Sequence, residues 1–356
     1  MDKVGQAFRG GGRIVGVDLL KILSMFNVLL VHTLYYGLYE SYHISVTDST
    51  NLLAAFTKTS SIEAIFLLSS TCVNCFVLCT GYLTINRSGY GINSLMKIYW
   101  KIAFYSLSLM FLSFIIFDTN IDFKYFFPLL TGKYWFCSTY FCMMIVAPFV
   151  SKLTQTLSHK QYILLLIAMI WLTCWPFFGR LHGENMKPLY FITVFLIGGY
   201  FKLYGMPKCV RNYTNFKLVL LTVLIAICCY LYDYYLIHEI KLHFFAYNNI
   251  TLPLSILLFV SFLKVKPGCV VNRITVIAPY TFAVYLIHCN NYVWPWLLPL
   301  FKGIPTSYCA VINIIYCIIL FITFAFVDYL VELLFASIKI NNAIKKLSAK
   351  VECRLK

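Results

Sequence analysis

The sequence predicts an all-α, polytopic integral membrane protein of about ten transmembrane helices, with both termini cytoplasmic. Three observations carry this. Of 356 residues, 61% are hydrophobic and only 12% charged, with a mean hydropathy of +0.79; soluble domains carry about 25% charged residues. Apolar runs long enough to cross a bilayer recur along the whole chain. Lys and Arg are dense in alternate connecting segments and sparse in the others.

The spans are expected at 14–37, 62–85, 95–117, 134–153, 161–179, 187–204, 216–236, 249–265, 276–298 and 307–331, each of roughly bilayer length. With the N-terminus inside, the inner segments hold 21 Lys and Arg and the outer segments 7, leaving Lys21 within a span. That imbalance sets the orientation and favours an even number of spans. Residues 1–356 read as a single membrane domain, with no linker, internal repeat or low-complexity tract. A basic cytoplasmic tail, 336–356, places Lys345, Lys346 and Lys350 against anionic lipid headgroups.

The net charge of +16 is spread over short loops, which points to membrane orientation and away from nucleic acid. The segment before Ile14 is polar and glycine-rich, and the run after it spans, so a cleavable signal is not expected. The 14 Cys lie mostly in apolar runs and read as small packing hydrophobes, not as a disulfide framework. Cys72 and Cys75 form a C-x-x-C with no second pair and no nearby His, so no metal site is expected. Phosphate-binding loops, H-E-x-x-H and G-x-S-x-G are absent, which leaves an ATP-driven pump or a membrane metalloprotease unsupported.

The first span, RIVGVDLLKILSMFNVLLVH from Arg13 to His32, carries Asp18, Lys21 and His32. Each charge at such a position costs about 2.5–3.5 kcal/mol on insertion scales, so intramembrane charge marks function by default. On an ideal helix His32 lies about 20° from Lys21 and about 40° from Asp18 in projection, with about 16 Å of rise from Lys21 to His32. One stripe thus runs from a cation to an imidazole. A neutral imidazole can take a proton from a hydroxyl, making His32 a candidate general base; a helix-bridging histidine is the plainer reading. Lys21 is an anion-binding group or the partner of Asp18, three residues earlier.

His288 lies in YTFAVYLIHCNNYVW, 15 residues past Arg273, while His32 is 19 past Arg13, so the two imidazoles fall at similar depth. Tyr285 shares a face with His288. Thr80, Gly81 and Tyr82 end the second span; the glycine serves close helix packing or lets a ligand approach the backbone. Lys97 and Lys101, one turn apart, are topology determinants or phosphate ligands. Trp135, Trp294 and Trp296 read first as interfacial anchors.

These stretches together resemble the membrane-bound acyltransferase family 3, bacterial integral-membrane O-acyltransferases that decorate surface glycans. Lys21, ten residues, then His32 resembles the family's Arg, ten residues, then His, with Asp18 in the usual acidic place. VNCFVLCTGYL resembles V-N-C-F-F-x-x-S-G-Y-L, with Thr80 for Ser; KYWFCSTYFCMMIVAPFV resembles a W-F-L stretch followed by Pro and brings in Trp135; FAVYLIH resembles F-x-x-Y-L-x-H. Two departures are Lys for Arg at 21, which keeps charge but loses the bidentate fork, and Lys97 and Lys101 where relatives often carry paired arginines.

The resemblance implies His32, Asp18 and Lys21 as catalytic residues. It implies donor or substrate contacts from His288, Tyr285, Thr80, Gly81, Tyr82, Lys97, Lys101 and Trp135. Acetyl- or another acyl-coenzyme A is the implied donor substrate, with no tightly bound cofactor. The implied acceptor is a lipid-linked or polymeric glycan such as lipopolysaccharide O-antigen, and the implied location is the bacterial cytoplasmic (inner) membrane. A glycan or acyl-group transporter, which also uses buried charge, is the alternative. The acyl group, the acceptor hydroxyl, the face of transfer and the oligomeric state are not read from the sequence.

Overall fold

Twelve α-helices and two 3-10 segments follow one another in the described part of the computed structural model, which covers residues 13–42, 68–174 (without 88 and 90), 187–207, 251–297 and 309–354, and scattered positions from 211 to 228. No strand occurs among the described residues. The helices are α1 (Val15–Tyr42), α2 (Cys72–Thr84), α3 (Ile92–Phe117), α4 (Trp135–Thr156), α5 (His159–Cys174), α6 (Lys187–Tyr204) and α7 (Leu252–Leu263). They continue with α8 (Cys269–Ile274), α9 (Thr281–His288), α10 (Trp294–Leu297), α11 (Cys309–Ser337) and α12 (Ile340–Arg354).

Described helix falls within every expected span; residues 220–228 supply it for the seventh. Among the described residues, five stretches are long and apolar enough to cross a membrane: Val15–Thr33, Ile92–Phe117, Trp135–Thr156, Cys269–His288 and Val311–Ser337. Expected residues 62–67, 175–179, 216, 218–219, 229–236, 249–250, 298 and 307–308 lie outside the described residues, as do Lys3, Arg9, Lys58, Arg180, Lys208, Lys241, Lys302 and Lys356.

The distribution of polarity is that of a bundle bathed in lipid. α11 turns Val311, Ile315, Ile319, Ile322 and Phe326 outward while burying Asn313 and Asp328. With no water to drive helix association, packing and interhelical hydrogen bonds hold such a bundle. α1 is its axis, touching α2, α7, α9 and α11.

The tightest contact is between α2 and α6. A Cβ on Gly81 would lie 2.0 Å from the Phe195 carbonyl oxygen, and one on Gly198 would lie 2.2 Å from that of Leu78. The two helices therefore meet backbone to backbone, each through the other's glycine. Gly81→Ala is expected to destabilise the bundle by about 1–3 kcal/mol, because overpacking forces backbone shifts. Thermal unfolding in detergent checks this; an unchanged Tm would mean that α2 and α6 slide freely.

The expected ninth span is not one continuous helix. Residues Thr275–Tyr280, containing Pro279, are 3-10, and α9 stops at His288, five residues before α10. Asn290 explains the stop. Its Oδ1 accepts the Tyr292 N–H at 3.0 Å, an Asx turn that competes with helix. Its Nδ2 donates to the Tyr134 hydroxyl at 2.9 Å, and Tyr134 donates to the Leu286 carbonyl at 3.2 Å. Irregular backbone at membrane depth is tolerated where protein buries it or where it lines a cavity.

The α3–α4 connection covers this break. The Tyr292 hydroxyl accepts from Asp122 N–H at 3.0 Å and donates to the Asn120 carbonyl at 2.7 Å, while the Asn291 N–H donates to Tyr125 at 3.3 Å. Burial pushes the Tyr125 phenol up to about 12, so it stays neutral. Lys133 bonds Asp122 at 2.7 Å and holds its carboxyl below the ordinary range. The C-terminal tail is helical: α12 packs on α3, with Ser348 donating to Asn93 at 3.5 Å.

Candidate active site

α1 and α9 bring the two expected histidines together. His32 Nδ1 lies 3.0 Å from His288 Nε2. His288 is fully buried, and its Nδ1 lies within hydrogen-bond reach of the Val284 carbonyl one turn earlier. That carbonyl can only accept, so the neutral His288 ring carries its proton on Nδ1 and a lone pair on Nε2. The lone pair in turn accepts from His32 Nδ1–H. A single chain of bonds thus fixes both tautomers and leaves Nε2 as the basic atom of His32.

Cys289, at the broken end of α9, completes a triangle with the pair. Its Sγ is 3.3 Å from His32 Nδ1 and 3.4 Å from His288 Nε2. Around this group stand Tyr285 and Trp294, both edge-on to His288 with ring centroids at 6.0 and 6.4 Å. Tyr285 is buried against Phe136 and Tyr134.

The other expected residues divide. Asp18 pairs with Arg13, whose guanidinium also bonds the Thr275 carbonyl, tying the start of α1 to the 3-10 segment. Lys21, half-buried, forms no ion pair among the described residues. Thr80 donates to Phe76 O at 3.0 Å and meets the Tyr140 hydroxyl at 3.1 Å. Gly81 is filled by the Phe195 backbone. Tyr82 is buried under Lys202, whose Nζ is 5.1 Å from the ring, and against Phe259. Trp135 stands at the exposed start of α4 with Lys187 4.9 Å over its ring. Lys97 is exposed. Lys101 is engaged by α11, 2.7 Å from Asp328 and 2.8 Å from Glu332.

Four features were not read from the sequence. Cys289 reads in the sequence as one more packing cysteine, although the polar C-N-N after His288 marks the end of α9. Tyr134 and Asn290 form the clasp behind it. Asp328, fully buried, binds Lys101 and accepts from the Tyr105 hydroxyl at 2.8 Å; the intramembrane-charge argument that flagged Asp18 applies equally to it. Asn313 is buried, and among the described residues neither amide atom has a hydrogen-bond partner. It lies one turn before Cys317, whose Sγ is 3.1 Å from Thr33 Oγ1, next to His32 in the chain.

Cys72, Cys75, Cys79, Cys137, Cys289 and Cys317 are among the free thiols of the described residues.

Neither a curated protein nor a solved structure matches the chain. A family model does: the acyltransferase-3 model, described as an acyltransferase domain, matches residues 14–332, from the start of α1 into α11. That range takes in both histidines, the broken α9 and the buried Asp328. The chain belongs to acyltransferase family 3, and its helical membrane domain is an acyltransferase domain.

Proposed function

We propose that the protein moves an acyl group, acetyl in the simplest case, from acyl-coenzyme A to a hydroxyl of a cell-surface glycan such as O-antigen, at the bacterial cytoplasmic membrane. The observation that carries this is the chain from Val284 O through His288 to His32. His32 Nε2 takes the proton of the acceptor hydroxyl as its oxygen attacks the thioester carbonyl. The tetrahedral intermediate collapses, the C–S bond breaks, and the proton on His32 passes to the departing thiolate. The products are an ester and free coenzyme A. His288 positions the base: it holds His32 in the reactive tautomer, and its lone pair and the Val284 carbonyl dipole favour the imidazolium that forms.

The donor lies along α1 in this reading. Lys21 and Lys97 attract its phosphates, and the thin pantetheine arm follows the stripe of about 16 Å to His32. Lys101, already bonded to two carboxylates, adds less than its position in the sequence suggests. Asp18 sets Arg13 and the inner end of the stripe.

The unsatisfied Asn313 amide supports an acceptor contact. A buried polar group without a partner destabilises the protein and is relieved by an incoming polar ligand. Asn313→Leu is expected to leave the Tm unchanged or raised, while raising the acceptor KM roughly tenfold, the loss of about 1.4 kcal/mol in hydrogen bonding to substrate. A fall in Tm with unaltered KM would assign Asn313 to structure alone.

The deciding experiment uses purified protein in nanodiscs with labelled acetyl-coenzyme A and lipid-linked host glycan. Label in alkali-labile ester together with released thiol supports the reading. Glycan moved across the bilayer with no thiol released would replace it with transport.

A further inference from the structure

We propose that His32 Nδ1, His288 Nε2 and Cys289 Sγ form a binding site for a soft-to-borderline divalent cation, zinc in the first instance, and that its occupation switches acyl transfer off. The argument is geometric. The three atoms form a triangle with edges of 3.0, 3.3 and 3.4 Å. Tetrahedral zinc, with Zn–N of about 2.0–2.1 Å and Zn–S of about 2.3 Å, needs edges of about 3.3 Å between nitrogens and about 3.6 Å between nitrogen and sulfur. Each edge has only to open by a few tenths of an ångström. The ligand set is of the kind that zinc selects, two imidazoles and a thiolate, and a fourth position stays open as in three-ligand zinc sites.

Other parts of the fold prepare the triangle. His288 has its second nitrogen bonded to the Val284 carbonyl, the outer contact that orients metal-ligating histidines. Cys289 sits where α9 ends, so its side chain is placed by a turn that Asn290 and Tyr134 hold from behind. Among the described residues, no other set of His, Cys, Asp and Glu side chains converges in this way.

Occupation opposes catalysis through the tautomer of one ring. In the proposed reaction His32 carries its proton on Nδ1 and accepts at Nε2. A cation at Nδ1 needs the lone pair there, so the proton moves to Nε2 and the base is lost. Binding also displaces the Cys289 thiol proton to solvent as the metal–sulfur bond forms. No oxidation state changes. The proposed acyl transfer uses no proton of Cys289, so metal binding is read from the sulfur and transfer from the ester.

The inference shares its site with the proposed reaction, but its main readout does not depend on that reaction. Cobalt(II) added to folded, metal-free protein in nanodiscs is expected to bind once per chain, with visible bands of tetrahedral cobalt and a near-ultraviolet sulfur-to-cobalt absorption. Cys289→Ser is expected to lose the sulfur band while its Tm stays as in wild type. Zinc is expected to inhibit wild-type transfer reversibly, with chelator restoring it, and the inhibiting concentration should rise at least tenfold in Cys289→Ser. No cobalt spectrum, or one unchanged in Cys289→Ser, overturns the site. Loss of transfer on chelation, restored by zinc, overturns the inhibitory role. Cobalt binding at Cys289 in a protein that transfers no acyl group would leave the site standing and remove the proposed reaction.

Discussion

His32→Ala is expected to lower the acyl-transfer rate by about two to four orders of magnitude, the usual worth of a positioned general base. Donor affinity should change little, because the proposed reading puts the phosphates at the other end of α1. The loss should appear in kcat, with KM for acyl-coenzyme A within a few-fold of wild type. Replacements at His288 sharpen the test. His288→Gln retains an amide oxygen able to accept from His32 Nδ1–H, whereas His288→Ala removes the acceptor. The glutamine variant should therefore keep more activity than the alanine variant, and its pH–rate profile should stay closer to wild type. Equal loss in both, with equal loss of Tm, would reduce His288 to a packing residue. Full activity in a well-folded His32→Ala would remove the base from the mechanism.

The second large effect is on stability. Asp328→Leu is expected to destabilise the protein by about 3–5 kcal/mol, because it strands a buried cation. Lys101 would keep only Glu332, a third exposed, and Tyr105 would lose its acceptor. The double variant Lys101→Met/Asp328→Leu should recover most of the loss, since a buried pair replaced by apolar groups of similar volume is often neutral. Thermal unfolding of the two single variants and the double in detergent completes a cycle. A double variant as unstable as Asp328→Leu would show that the pair contributes net attraction. The same double variant tests the donor site: an unchanged KM for acyl-coenzyme A would assign Lys101 wholly to structure.

Lys101 also shows where sequence reading stops. Its place at the inner end of a span was legible, and so was its suitability for phosphate. What could not be read was that Asp328, 227 residues away, would meet it. Pairing across helices depends on which faces turn toward each other, and a linear pattern reports only the faces. The His32–His288 contact was nearer to legible. Both residues could be set at one depth by counting from basic flanks, so only their mutual approach had to come from packing. The break after α9 left a trace in the sequence, the polar C-N-N that follows His288. Its cause lies in the fold: one asparagine side chain bonds Tyr292 and Tyr134 in place of the helical pattern. Gly81 had two readings in the sequence, and a carbonyl 2.0 Å from its Cβ position decides for packing.

The Lys101–Asp328 pair has a consequence for biogenesis. The cation enters the membrane with α3, and its counter-ion is translated 227 residues later. At about 5–20 residues per second, the ribosome needs about ten to forty-five seconds to supply it. Throughout that interval Lys101 is without either carboxylate that neutralises it in the finished fold, since Glu332 is translated later still. A chain that stops short of α11 never supplies them, and its α3 keeps the cost of an unpaired intramembrane charge.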